Sequence, residues 1–312
     1  SINAFAYHGH AMILATLLTA QAAENCLPEC NCNKCVYRGP NCPVCKDSLA
    51  VLLLACNRTA EVQMALNALS AAVGSEEVDV IVSVDCPRGL NFPRPDAFRS
   101  LAVVQSYQMG TFNHPEWKDN RVARHWLSAI DSAFKSLNVD RLLVVEDDHV
   151  VMPDIFLAAD LFYPCPSCFA VNLGHHQSQD THPNTAGLGV IGNIGVVYYR
   201  DRWERFISTG LDRFCSIRGD WDFALQHLRF DGVIEPHTVQ VSKTRAYHLT
   251  TCFSCNSTLQ SREQEYNRYL KRWNTTGIAT GIDFSKQYLN QPVRSVLAPR
   301  EMKELCLQAV HV

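Results

Sequence analysis

The sequence predicts an α/β protein built on a doubly wound, mostly parallel β-sheet. Three observations carry the prediction. Largely apolar runs of strand length recur at 50–55, 78–84 and 141–145. Stretches with helical apolar spacing lie between them. The third run ends abruptly in carboxylates, as strands do where an open sheet meets its ligand. Repeated strand–helix units give a parallel sheet with helices on both faces.

Each element has its own signal. Ala50 to Ala55 is apolar at every position, the mark of a strand covered on both sides. Thr59 is placed to cap a helix in which Val62, Ala65, Leu66 and Leu69 share a face. Val78 to Val84 reads as a second buried strand. Arg121 to Leu137 reads as a helix with Trp126, Ile130, Phe134 and Leu137 on one side. Arg141 to Val145 is a third strand, and Pro153 suits the first position of a helix running to about Phe162. Beyond about residue 165 the pattern loses regularity, and no internal repeat is visible.

Composition narrows the function. The 312 residues are 47% hydrophobic and 19% charged, which excludes a disordered chain. Lys plus Arg number 28 and Asp plus Glu 31, a formal net charge of −3. Such a chain has no global basic field for nucleic acid or an anionic membrane, so any phosphate must be held locally. No apolar run reaches the ~18–20 residues that cross a bilayer. The longest candidate, Ala11 to Ala23, is too short and contains Thr and Gln.

The chain divides near Lys46. Residues 1–46 hold Cys26, Cys30, Cys32, Cys35, Cys42 and Cys45 and read as a stapled stem or small subdomain; residues 47–312 hold the sheet. Fourteen cysteines spread through the whole chain suit disulfides in a secretory lumen. Sequons at Asn57, Asn256 and Asn274 agree. Zinc is the other reading of the cluster, since Cys32-x-x-Cys35 and Cys42-x-x-Cys45 have ligand spacing. Cys56 and Cys86 end neighbouring strands, where they are either bridged or buried as free thiols.

The strongest chemical signal is Glu146-Asp147-Asp148 at the end of the third strand. Like charges packed there repel unless a cation compensates them. Hard oxygen ligands suit Mg²⁺ or Mn²⁺ carrying a diphosphate. An acidic turn that merely caps the next helix is the plainer reading, but Asp154 already sits at that helix start.

Four segments in order make the sequence resemble the inverting GT-A glycosyltransferases of the β-1,2-N-acetylglucosaminyltransferase I and protein O-mannose β-1,2-N-acetylglucosaminyltransferase group. They are Val51 to Arg58, Ile81 to Cys86, Val122 to Trp126 with Glu146-Asp147-Asp148 and Met152 to Phe156, and Asp220-Trp221-Asp222 with Val241-Ser242-Lys243 and Tyr247-His248. The resemblance implies a GT-A fold over 47–312 and transfer of N-acetylglucosamine from UDP-GlcNAc to a mannosyl acceptor in β-1,2 linkage. It implies Mn²⁺ as cofactor, a Cys56–Cys86 disulfide, and residence in the Golgi lumen with a membrane anchor outside this chain. Arg58 and Asp85 would hold the uridine half of the donor and His125 would contact the uracil. Asp148, nearest the active-site end of the strand, would bind the metal, with Glu146 and Asp147 on the sugar and ribose. His248 is either a second metal ligand or a diphosphate contact. Asn193-Ile194-Gly195 stands where the family has a donor-touching Gly-Leu-Gly, which makes Ile194 a further donor residue.

An inverting transfer also needs one carboxylate to take the acceptor's proton. Asp222 is the candidate, with Asp220, two residues earlier, as the better helix cap. Departures from the family pattern fall at Val171 to His176 and at Cys252-x-x-Cys255, regions that choose acceptor and donor. His175, His176 and His182 read as exposed loop residues. The alternatives are the same chemistry with another UDP-sugar or acceptor, and an inactive glycan- or protein-binding relative.

Overall fold

A computed structural model describes residues 48–56, 58–86, 90–105, 121–161, 168–174, 186–189, 191–217, 220–241, 243–249 and 259–275. The cysteine-rich segment 1–46, Asn57, Cys165, His175, His176, His182, Cys252, Cys255, Asn256 and Cys306 lie outside them.

The strands are β1 (Leu49–Ala55), β2 (Asp79–Val84), β3 (Ser100–Gln105), β4 (Arg141–Glu146), β5 (His149–Val151), β6 (Cys168–Asn172), β7 (Ala186–Gly189), β8 (Val196–Tyr199), β9 (His237–Val241) and β10 (Ala246–His248). The helices are α1 (Thr59–Ser70), α2 (Arg121–Leu137), α3 (Ile155–Leu161), α4 (Arg200–Thr209), α5 (Leu211–Ser216), α6 (Trp221–Phe230) and α7 (Leu259–Thr275). Among the described residues, eight strands form one sheet in the order β3-β2-β1-β4-β8-β6-β9-β7. Strands β3, β2, β1 and β4 are mutually parallel, as is β9 beside β6, while β8 and β7 run antiparallel to their neighbours. The α/β class and mostly parallel sheet expected from the sequence are what the chain adopts. A short ribbon pairs β5 with β10.

The all-apolar strands follow from alternation. Side chains along a strand point to opposite faces. Val51 and Leu53 of β1 join Val62, Leu66 and Leu69 of α1 and Ile155 of α3 in one core. Ala50, Leu52 and Leu54 join Trp126, Ile130 and Phe134 of α2 and Trp221 and Leu225 of α6 in the other. A strand sandwiched this way has no polar face to show in its sequence.

Helix α2 spans the residues expected of it. Two starts differ. Thr59 is the first residue of α1 rather than its cap; Arg58 holds the N-cap position with no side-chain cap bond. Pro153 precedes α3, which begins at Ile155 and ends at Leu161. Asp154 is not spent on capping by its side chain alone: its carboxylate takes the buried Arg245 Nε at 3.3 Å. Cys56 and Cys86 form a disulfide with Cα atoms 5.0 Å apart. Cys168 is also disulfide-bonded, and Cys215 carries a buried thiol. No helix among the described residues is long and apolar enough to cross a membrane.

Candidate active site

The parallel register brings the functional groups to one edge. Leu54 pairs with Glu146 and Ala55 with Val84, so β1, β2 and β4 end side by side. Main-chain bonds continue past the strands: Asp85 N to Ala55 O at 2.9 Å and Asp147 N to Leu54 O at 2.9 Å. The Cys56–Cys86 bridge ties the β1 and β2 exits together. Cys56 N donates to Asp147 Oδ2 at 3.3 Å.

Arg58 reaches across to the carboxylates. Its guanidinium donates to Asp148 Oδ2 at 2.8 Å and to Asp147 Oδ1. In this arrangement its charged end is engaged by the acidic turn. Burial works against the Arg58 charge, yet Asp147 and Asp148 outweigh it and raise its pKa.

The three carboxylates are held differently. Burial first, then Asp148 and Asp147, pushes Glu146 up to about 8. Burial also raises Asp147, with Arg58 opposing. Burial opposes the charge of Asp148 as well, but the His248 hydrogen bond and the nearby His149 and Arg58 prevail and hold its carboxyl well below the usual range. Three acids on one turn thus separate into a readily protonated group and a firmly ionised one.

His248 arrives through the small ribbon. In the β5–β10 register His248 faces His149, and Leu249 N donates to Asp148 O at 2.8 Å. His248 Nε2 lies 3.3 Å from Asp148 Oδ2. Asp148, His149 and His248 offer ligand atoms within 4.8 Å of one another. The two imidazoles are not equivalent. Glu146 N donates to His149 Nδ1 at 3.0 Å, which makes that nitrogen the acceptor and leaves the ring proton of neutral His149 on Nε2. His149 therefore faces Asp148 Oδ1, 3.9 Å away, with a proton rather than a lone pair. Asp148 Oδ1 is buried and accepts no hydrogen bond from the described residues. An ionised carboxylate with one oxygen unbonded and the other beside the His248 imidazole is the donor set a hard divalent cation takes. Asp148 and His248 fit a metal once a cation takes the place of the proton that His248 Nε2 shares with Asp148 Oδ2; His149, whose Nδ1 is taken by Glu146 N, fits a support that orients them.

Asp222 lies in the first turn of α6, half-buried, with Oδ1 accepting from Phe223 N at 2.8 Å. Asp220 holds the N-cap position without a side-chain cap bond. Beneath them is an aromatic layer in which Trp221 stacks on Trp126 and Trp126 meets Tyr198 edge-on. Burial, then Asp222, raises the Tyr198 hydroxyl pKa far above its usual value, and Glu146 adds to the rise. Both carboxylates therefore bear on one buried phenol. His125 precedes Trp126 on α2 and shares a 2.9 Å hydrogen bond with Ser83 Oγ of β2, two residues before Asp85. Ile194 is buried, and its side chain packs where a Cβ on Gly174 would collide with it.

Sequence reasoning missed His149, Tyr198 and the Asp154–Arg245 pair. His149 had a signal, standing directly after the acidic triplet. Arg245 had none, since its partner lies 91 residues away.

Comparison with curated protein sequences finds no match. Among solved structures, the chain is similar to an active-site mutant of LgtC, at 11% identity and TM-score 0.42 over 75% of this chain and 98% of that one. It is similar to the mannosyltransferase PcManGT of Pyrobaculum calidifontis in complex with GDP-Man and Mn²⁺, at 10% identity and TM-score 0.42 over 98% and 90%. The glycosyltransferase GlyE of Streptococcus pneumoniae TIGR4 follows at 9% identity and TM-score 0.36 over 73% and 64%. The family of N-acetylglucosaminyltransferase II (MGAT2) matches residues 95–282, a stretch that includes Glu146, Asp147, Asp148, Asp222 and His248. That match spans more than half of the chain, which therefore belongs to the N-acetylglucosaminyltransferase II (MGAT2) family of glycosyltransferases.

Proposed function

We propose that this glycosyltransferase is inverting and metal-dependent, and that it moves N-acetylglucosamine from UDP-GlcNAc to a mannosyl acceptor of a glycan or glycoprotein in β-1,2 linkage. The family membership supports the sugar. The observation that carries the mechanism is the buried Asp148 carboxylate, whose Oδ1 accepts no hydrogen bond from the described residues while its Oδ2 lies 3.3 Å from His248 Nε2.

Asp148 and His248 would hold Mn²⁺, which when bound neutralises the charge that grows on the departing diphosphate. The protein supplies the rest. Asp85 and His125, at the β2 edge, bind the uridine end, with Arg58 and Ile194 as further donor contacts. Glu146 and Asp147 face the ribose and sugar. Glu146, readily protonated, can donate a hydrogen bond to a sugar hydroxyl where an ionised neighbour can only accept. Asp222 takes the proton of the acceptor hydroxyl as its oxygen bonds to the anomeric carbon. The bond from that carbon to the diphosphate oxygen breaks in the same step, and its electron pair leaves with UDP. One displacement inverts the anomeric centre.

The family, the Cys56–Cys86 disulfide and the sequons support a place in the secretory lumen, the Golgi in particular. The test is a donor screen that measures UDP release with each UDP-sugar in the presence of mannosyl acceptors. UDP-GlcNAc should turn over fastest and need the acceptor. Preference for another UDP-sugar would move the reading to the same chemistry with a different donor. Absence of turnover with every donor would favour a glycan-binding relative.

A further inference from the structure

Among the described residues, helix α7 meets the rest of the protein through Arg262 and Tyr269 in particular. Arg262 pairs with Glu61 of α1, both largely buried. Tyr269 lays its ring on Tyr247, with centroids 4.1 Å apart and planes 15° from parallel. The Tyr269 hydroxyl donates to Glu265 Oε1 at 2.9 Å, one turn back on the same helix, which fixes the ring from its far end. Tyr266 and Leu270 complete the face that meets the core.

Tyr247 immediately precedes His248 in β10, and alternation sends the two side chains to opposite sides of that strand. The strand has three residues and its ribbon two strands. A two-stranded ribbon is marginal unless something packs on it. One side of β10 meets the acidic turn through His248, whose Nε2 is 3.3 Å from Asp148 Oδ2. The other side meets α7 through Tyr247. The packing of Tyr247 and the placing of His248 therefore depend on the same short strand.

We propose that α7 clamps β10 and that Tyr269 is a positioning residue which, through Tyr247, holds His248 where it and Asp148 share a metal ion. The inference rests on the metal reading given above. It assigns a part in metal binding to a helix that contributes no ligand.

The experiment is calorimetric titration of Mn²⁺ into the full chain with UDP present, with the unfolding midpoint recorded for each variant. Tyr269→Phe keeps the ring and should bind Mn²⁺ within about twofold of the parent, while Tyr269→Leu should weaken binding about tenfold, the usual size of losing a group that orients a metal ligand. His248→Ala, measured alongside, should weaken it at least as much. If Tyr269→Leu binds like the parent, or Tyr269→Phe falls as far as Tyr269→Leu, the clamp is wrong. If His248→Ala binds Mn²⁺ unchanged, the metal reading itself is wrong and the clamp falls with it. Should Tyr269→Leu not fold, Arg262→Gln loosens the other anchor and must weaken Mn²⁺ in the same direction; parent affinity there overturns the proposal.

Discussion

The indole rings of Trp126 and Trp221 lie face to face, with centroids 4.7 Å apart and planes 7° from parallel. Each is the sequence neighbour of a candidate site residue: His125 precedes Trp126, and Asp222 follows Trp221. The stack sets the helix that carries the proposed uracil contact against the helix that carries the proposed base. Both rings are buried, in contact also with Tyr198, Trp203 and Phe214 around Trp126.

Removing Trp126 should therefore be costly. Trp126→Ala is expected to lose ~3–5 kcal/mol of stability, the range for deleting a buried aromatic. A double-mutant cycle with Trp221→Ala should give a coupling of ~0.5–1.5 kcal/mol beyond the separate losses. Urea unfolding measures both. Strict additivity would mean that the two rings are neighbours without a specific contact.

Asp148→Ala should abolish the effect of Mn²⁺ on UDP affinity. The variant removes the orphaned Oδ1 and the oxygen shared by Arg58 and His248. Calorimetry with UDP, with and without Mn²⁺, reads the change. An unchanged metal dependence would place the cation elsewhere.

Lys243 gives a pH signature away from the acidic turn. It is buried beside Arg245, with Asp154 the carboxylate facing both. Burial, only partly offset by Asp154, pushes its pKa down to about 8. The ordinary value is near 10.4. Between those values the unfolded chain holds more protons than the folded one, so stability should rise with pH. Below about 8 the burial cost of the charge is fully present. Lys243→Met should flatten the rise between pH 8 and pH 10 relative to the parent. Parallel curves for the two proteins would show that Lys243 is not titrating there.

How much of this was legible beforehand follows from the range of the forces. Strands β1, β2 and β4 are readable because burial on both faces writes a largely apolar run, unbroken in β1. Helix α2 was readable because its buried face repeats every turn. The cluster of Cys56, Arg58, Asp85, Cys86 and Glu146-Asp147-Asp148 at one edge followed from strand order alone. What the cluster does to itself did not. Arg58 engages partners 89 and 90 residues away, and sequence spacing says nothing about such contacts. Thr59 does not cap α1: the chain enters that helix one residue earlier, at Arg58. The antiparallel strands β7 and β8 are only four residues each, too short to write a period. His149 is masked in the sequence by the acidic triplet before it, which accounts for a metal site by itself.

Asp222 as general base is the centre of the account, and Asp222→Asn is its most direct test. The substitution keeps the size of the side chain and its acceptor for Phe223 N, and removes the proton acceptor. Steady-state transfer and UDP affinity should be measured together on Asp222→Asn and on Asp220→Asn. Asp222→Asn should bind UDP as the parent does and lose ~10²–10⁴-fold or more in turnover, the scale of general-base catalysis. Asp220→Asn, altered only at the helix N-cap, should keep far more activity. A reversed ranking would make Asp220 the base, and normal turnover in both would contradict the proposed chemistry of this site.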